Sequence, residues 1–377
     1  AARAARSKAA PFAAHAHLPI DRARFMSLQA FAPAKINLSL CVGARLETGA
    51  SVGRHPLDSL VVFTKTVGDH LVLEANSSGT VTLQVEGPFA PALGGAGDNL
   101  VVRAGEMLRA HTGKALGAHI VLHKHLPIAS GIGGGSADAA AALLGLNHLW
   151  ELGLETSALL ELAARLGADV PACVLGQSLD TTLSSPATAG EVGPKGSEGA
   201  SAGKNTPSVA LRATAPPLAG EHKGSSATAL HMTGTGEAIR ALPPEQAAPL
   251  RGLGLVLVNP LQACATAQVF GAFAQQGQPR ALQTLTPPDF TDQAGLLDYL
   301  ANHPNDLQTA AITQVPAIAA ILATLAQTGA PLVVRLSGSG ATCFGLYPSL
   351  QAARDAAAIL AQDKVTAGFW IQADEIA

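Results

Sequence analysis

The chain is poor in charge: Asp, Glu, Lys and Arg together make up 14% of its residues. Lys and Arg number 24 against 27 Asp and Glu, so no basic excess marks a nucleic-acid footprint. Aromatic residues are scarce, at 4%, and much of the apolar total is alanine and glycine. The four cysteines, Cys41, Cys173, Cys264 and Cys343, stand far apart, with no C-x-x-C pair and no His/Cys cluster. That excludes a disulfide frame and a zinc site and reads as reduced core thiols of a cytosolic protein. Long apolar runs are missing too. The best candidates, 139–146 and 316–325, fall well short of the roughly 20 residues of a membrane span. No transmembrane helix and no membrane partner are expected. The first 25 residues are rich in Ala and Arg (Arg3, Arg6, Arg22, Arg24) and have no continuous apolar core, which argues against a secretory signal. Segment 1–26 is expected to be a disordered leader; a transit-like peptide, or sequence upstream of a start at Met26, are the alternatives.

What is present suits a folded protein of two ordinary domains. The 377 residues are 48% hydrophobic, enough for a sizeable core. Alternation predicts strands over 34–42, 60–64, 70–74, 81–85 and 119–123. Helical spacing runs over 99–111, an alanine-rich helix follows the glycine segment to about Trp150, and another spans 157–166, with Gly167 as its stop. Segment 181–229 shifts to Gly, Ser, Thr, Ala and Pro without apolar periodicity and reads as a flexible insertion. Beyond it, strands are expected at 254–258, 332–336 and 341–346, and helices at 262–275, 306–328 and 350–362. Strands and helices mix without a strict βαβ rhythm, which points to α+β.

Four segments carry chemistry. The strongest comprises Pro127, Ile128, Ala129, Ser130, Gly131, Ile132, Gly133, Gly134, Gly135, Ser136 and Ala137 at a loop-to-helix junction. Consecutive glycines let backbone approach a ligand closely, and the exposed amides of the following helix favour an anion. It lacks the Gly-Lys-[Ser/Thr] end of a Walker A loop, and Ser136 stands where a dinucleotide fingerprint needs its third glycine. A phosphate cradle and a ligand-free glycine turn remain as readings. In Pro33-Ala34-Lys35-Ile36-Asn37-Leu38, Lys35 interrupts an apolar strand. It is either a cation aimed at a phosphate or carboxylate, or an edge lysine reaching solvent. In Gly167-Ala168-Asp169-Val170-Pro171, Asp169 is a general base or a helix cap. Arg335-Leu-Ser-Gly-Ser-Gly-Ala-Thr342 is a tight turn or a second backbone approach to phosphate.

Together and in this order, these segments resemble the GHMP kinase superfamily, which includes galactokinase and the homoserine, mevalonate and phosphomevalonate kinases. The likeness is closest to the branch acting on 4-diphosphocytidyl-2-C-methyl-D-erythritol. Lys124-x-Leu-Pro, His55 and Asn305-Asp-Leu add to the match, which covers about 31–177 and 233 to the end. The resemblance implies an α+β chain with a two-domain GHMP kinase fold. An N-terminal α/β ATP-binding domain (27–180) and a C-terminal ferredoxin-like α+β domain (230–377) would flank the active site. It implies ATP as co-substrate with Mg²⁺, bound along Pro127 to Ala137. Lys35 and Asp169 would be the catalytic pair, with Asp169 accepting the proton of the substrate hydroxyl and Lys35 keeping it a carboxylate. The acceptor would be the 2-hydroxyl, phosphorylated in non-mevalonate isoprenoid biosynthesis. His55 would read the cytosine, Phe270 would stack on it, Asn37 would lie near the substrate, and Asn99 would approach the adenine. The expected enzyme is cytoplasmic, a monomer or weak homodimer, acting on a small molecule and not on nucleic acid. Relatives usually have Tyr where Arg54 stands, and the 181–229 insertion is absent from typical members. These departures motivate a non-catalytic nucleotide-binding relative as an alternative, and within the class a homoserine or mevalonate kinase is the runner-up.

Overall fold

The computed structural model describes residues 27–49, 51–93, 99–177, 183–184, 227–276 and 279–377. The expected leader, and the expected insertion apart from 183–184 and 227–229, lie outside the described residues. The first domain is built on β1 (Ser27–Asn37), β2 (Cys41–Val42), β3 (Leu57–Asn76), β4 (Val81–Glu86) and β5 (Gly117–His123). Its helices are α1 (Leu100–Thr112), α2 (Gly134–Leu149), α3 (Thr156–Leu166) and α4 (Val170–Gly176). Three further strands, β6 (Leu183–Ser184), β7 (Ala229–Gly234) and β8 (Ala238–Ala241), join the same sheet. Its path runs β4-β5-β3-β1-β6, with β2 and β7 on β3 and β8 on β7; only β4 and β5 pair in parallel. Residues 230–241, which the sequence assigns to the second domain, therefore stand in the first sheet, because β7 pairs Ala229–Gly234 against Leu57–Val62 of β3.

The two strands expected at 60–64 and 70–74 are one strand of 20 residues. The exposed pair Lys65 and Thr66, before Gly68, interrupts the apolar pattern, and the register with β1 slips across it from Pro33↔Gly68 to Lys35↔Phe63, while β3 continues as one strand. Gly68 is needed there: a Cβ would stand 2.4 Å from the Ala32 carbonyl oxygen. The inner half of β3 is apolar on both faces because both are buried. Val61 and Phe63 join the core under α1–α4, while Leu60 and Val62 join a second core shared with the other domain.

The second domain comprises α5 (Pro244–Ala247), β9 (Gly254–Asn259), α6 (Thr266–Gln276), α7 (Gln293–Asn302), α8 (Gln308–Gln314), α9 (Ala317–Ala326), β10 (Val333–Leu336), β11 (Cys343–Tyr347), α10 (Leu350–Leu360) and β12 (Trp370–Glu375). The four strands form an antiparallel sheet in the order β10-β11-β9-β12. With helices between β9 and β10 and between β11 and β12, this is the ferredoxin-like β-α-β-β-α-β arrangement. The single helix expected over 306–328 breaks at Val315-Pro316, since proline disfavours helical backbone in the residue before it. Among the described residues, no helix is long and apolar enough to cross a membrane.

The domains are pinned by buried polar contacts. Arg335 donates to the carbonyl oxygens of Leu38 (2.7 Å), His303 (2.9 Å) and Leu300 (2.9 Å). Burial works against the guanidinium charge, and these three acceptors offset it. Asp374 of β12 accepts from the amides of Thr66 and Val67 at 2.7 Å each, tying the second sheet to the middle of β3.

Candidate active site

The end of β1, the β5–α2 loop, the start of α4 and the face of α6 surround one cleft of about 680 Å³. That size suits a nucleotide-sized ligand. Lys35 lies on β1 just past a register shift between Pro33 and Lys35, and it is 4% exposed. Its Nζ donates to Asn37 Oδ1 (3.1 Å) and pairs with Asp169 Oδ1 at 3.3 Å. Asn37 is fixed in turn, donating through Nδ2 to Ser59 Oγ at 2.8 Å. Asp169 caps α4 by position, but its side chain makes no cap hydrogen bond and stays half exposed toward the cleft. The cap reading of this aspartate thus fails on its side chain, while the partner that Lys35 needs is present.

The glycine loop wraps the same space. Gly131 and Gly133 adopt left-handed backbone (φ 74° and 68°), which turns the chain sharply into α2. Gly133 is the N-cap and offers no side chain, so the first amides of α2 depend on something other than the protein's own cap. A Cβ on Gly133 would lie 3.1 Å from Lys35 Cβ, so the loop sits directly on β1 at Lys35. Pro127 to Gly131 and Gly133 to Ser136 line the cleft. Ile132 and Ala137, grouped with them by sequence, do not: their apolar side chains are fully buried in the two cores.

The segment 335–342 forms the tight turn of its first reading. Arg335 is structural, as above, and Ser337 to Gly340 form a turn docked on the glycine loop. Ser337 Oγ donates to the Gly131 carbonyl (3.2 Å) and accepts from the Asn37 amide (3.2 Å), and Thr342 N donates to Ser130 O (3.0 Å). Gly338 and Ser339 reach the cleft wall.

His55 and Phe270 also line this cleft and come together, with ring centroids 5.7 Å apart and planes inclined by 33°. Phe273 packs edge-on to His55 at 5.7 Å. His55 Nδ1 lies 2.8 Å from the Gly43 carbonyl oxygen, so Nδ1 is the donor and a neutral ring keeps Nε2 as an acceptor. Arg54 lines the cleft beside His55 and is exposed. Asn99 is the N-cap of α1, where its side chain accepts from Val101 N at 2.9 Å. Its oxygen is therefore engaged in capping.

Comparison with known proteins agrees with this geometry. The model of the GHMP kinases N terminal domain matches residues 99–177, and that of the GHMP kinases C terminal domain matches 289–365. A 4-diphosphocytidyl-2-C-methyl-D-erythritol kinase from Hyphomonas neptunium is 36% identical over 352 residues, covering 93% of this chain and 97% of its own. One from Paramagnetospirillum magneticum is 39% identical over 329 residues, covering 87% and 92%.

The chain belongs to this family of GHMP kinases.

A solved 4-(cytidine 5'-diphospho)-2C-methyl-D-erythritol kinase has the same fold, with a TM-score of 0.59 at 23% identity, covering 92% of this chain and 99% of that one. A mevalonate kinase structure aligns at a TM-score of 0.55 and 8% identity, over 93% and 98%. The protein is thus a kinase with the GHMP two-domain α+β fold, using ATP as co-substrate. Sequence reasoning missed the kinase cleft's contributions from Met232, Thr235 and Gly236 of the β7–β8 hairpin. No local motif marks them, and only the strand pairing of β7 with β3 brings them there.

Proposed function

We propose that the protein transfers the γ-phosphoryl group of ATP to the 2-hydroxyl of 4-diphosphocytidyl-2-C-methyl-D-erythritol. The products are the 2-phosphate and ADP, in the non-mevalonate route to isopentenyl diphosphate. The observation that carries this reading is the Lys35–Asp169 pair at 3.3 Å, set in one cleft with the glycine loop and the His55–Phe270 aromatic pair.

The chemistry follows from the placement. Amides of the glycine loop and of the first turn of α2 bind the phosphates and stabilise charge as it shifts toward the leaving ADP. Asp169, open to the cleft, takes the proton from the acceptor hydroxyl as its oxygen attacks phosphorus in line. Lys35, held by Asn37, fixes the carboxylate and steers the attacking oxygen. In the same cleft, His55 Nε2 accepts from the exocyclic amine of cytosine, and Phe270 supplies an apolar face for the base. The guanidinium plane of Arg54 can cover the base in place of the usual tyrosine.

Among the described residues, no group of three or more His, Cys, Asp or Glu could hold a metal ion. The Mg²⁺ of this reading belongs to the nucleotide, entering as MgATP and neutralising phosphate charge. The reading also takes the enzyme to be cytoplasmic, a monomer or weak homodimer, working on a small molecule without nucleic-acid or membrane partners. Four buried free thiols support a reducing compartment. The test is ADP release with the cytidylyl substrate, homoserine and mevalonate side by side. Turnover with the first alone is expected; turnover only with another acceptor, or none with any, overturns the assignment.

A further inference from the structure

Behind the glycine loop lies a charge cluster that the transfer chemistry does not use. Lys124, which opens the Lys-x-Leu-Pro segment after β5, is 2% exposed. Its ammonium donates to Asp138 Oδ2 at 2.6 Å and to Asp69 Oδ2. Asp69 and Asp138 are themselves 0% and 3% exposed. The two carboxylates are not equivalent. Asp69 has its other oxygen filled by the amides of His125 (2.6 Å) and Leu126 (2.9 Å). Asp138 Oδ1 is buried and has no hydrogen-bond partner.

With both acids ionised, the cluster would bury a net negative charge and leave one carboxylate oxygen bare, which is costly. Asp69, with donors on both oxygens, is the one suited to stay ionised. Burial pushes Asp138 up to about 8; Lys124 opposes the rise and Asp69 adds to it. Burial likewise opposes the Lys124 charge, and the two carboxylates outweigh it and hold its pKa above the ordinary value. The charged groups acting on Asp138 are Asp69 on β3 and Lys124 after β5, and on α4 the Cys173 thiol feels Asp138 together with Lys35 of β1 and Asp169, the N-cap of α4. Those of α1 and α3, Arg103, Glu106, Arg109, His111, Glu161 and Arg165, lie on exposed or half-buried faces.

The cluster bears directly on the phosphate loop. A Cβ on Gly134, the first residue of α2, would stand 3.1 Å from Lys124 Nζ, and Lys124 itself forms part of the cleft wall. We propose that Lys124 is a positioning residue for the triphosphate: Asp69 and Asp138 clamp its ammonium behind the first turn of α2, and Asp138 does so as a neutral acid, so that no net negative charge faces ATP. When Asp138 ionises, one negative charge remains under the phosphates, and binding of MgATP then draws one proton from solvent to that carboxylate. The inference rests on the reading of the glycine loop as the ATP site.

The test is calorimetric titration of MgATP, without acceptor, into the full chain from pH 6.5 to 9.5, in two buffers of different ionisation enthalpy. Wild type is expected to lose affinity progressively above pH 8, at most about tenfold per pH unit, with net proton uptake near pH 8. Asp138→Asn, which mimics the neutral acid, is expected to bind with affinity independent of pH and without uptake, and to exceed wild type at pH 9.5. Lys124→Met is expected to weaken MgATP at every pH. A flat wild-type profile, or an Asp138→Asn profile that follows wild type, overturns the inference while leaving the ATP site intact. Absence of MgATP binding by wild type at any pH overturns the ATP-site reading and the inference with it.

Discussion

Gly135 offers a test in which stability and binding move in opposite directions. It is the second residue of α2, it lies exposed on the cleft wall, and its backbone is not left-handed. A Cβ built on it meets no protein atom within 4 Å. Nothing in the protein itself requires glycine here, and glycine inside a helix costs roughly 0.5–1 kcal/mol relative to alanine. Gly135→Ala should therefore fold as well as wild type or better, with up to about 1 kcal/mol of added stability. The methyl group, however, occupies space that phosphate oxygens must enter to reach the amides of the first turn. Weakening one charge-assisted hydrogen bond costs about 1.5–3 kcal/mol, which corresponds to a rise in KM for ATP of roughly 10- to 100-fold. The assay is steady-state ADP release against ATP concentration, beside urea unfolding of the same samples. Gly131→Ala is the contrast: its Cβ would stand 2.5 Å from the Ser337 carbonyl oxygen at a φ of 74°, so stability and activity should fall together. A Gly135→Ala enzyme with an unchanged KM for ATP would refute the placement of the phosphates on this turn.

Three further outcomes are expected. His55→Ala should raise KM for the cytidylyl substrate about tenfold, the equivalent of one hydrogen bond and a ring contact, with kcat and KM for ATP little changed; an unchanged KM for that substrate would mean the base is read elsewhere. Asp138 has its pKa raised from 3.8 to about 8 in the folded chain, so folded protein keeps a proton that unfolded chain has lost between those values. Its contribution to stability is therefore complete below about pH 4 and declines toward pH 8, by at most about 1.4 kcal/mol per pH unit. Urea unfolding of Asp138→Asn across this range should lack that slope relative to wild type, and identical slopes would contradict it. Arg335→Met should cost about 3 kcal/mol, because three buried carbonyls lose their donor; a loss below about 1 kcal/mol in urea unfolding would show that they find other partners.

Much of this site is legible in the chain because its chemistry is local. The glycine run, Lys35 on an alternating strand and Asp169 after a Gly-Ala break are each recognisable within a few residues. The structure adds that Lys35 and Asp169 meet and that the loop rests on Lys35. What stayed hidden depends on contacts between distant segments. Ser337 reaches Gly131 and Asn37 across the domain boundary, and no local pattern distinguishes that serine from one in any tight turn. Lys124 and Asp69 are 55 residues apart, and Asp69 reads in isolation as a polar residue beside a strand break. The break itself was misleading: exposed Lys65 and Thr66 hide a continuous strand whose pairing partners alone reveal it. β7 and β8 follow a long segment without periodicity, so their return to the first sheet is set by pairing with β3 and not by nearness in sequence.

The central claim is that Asp169, tethered to Lys35, takes the proton of the acceptor hydroxyl as it attacks ATP held on the glycine loop. The most direct measurement is the single-turnover rate of phosphoryl transfer to 4-diphosphocytidyl-2-C-methyl-D-erythritol by Asp169→Asn, with MgATP affinity measured on the same protein. A rate lowered on the order of 10² to 10⁴ with MgATP affinity retained is the predicted result. A rate close to wild type would contradict it.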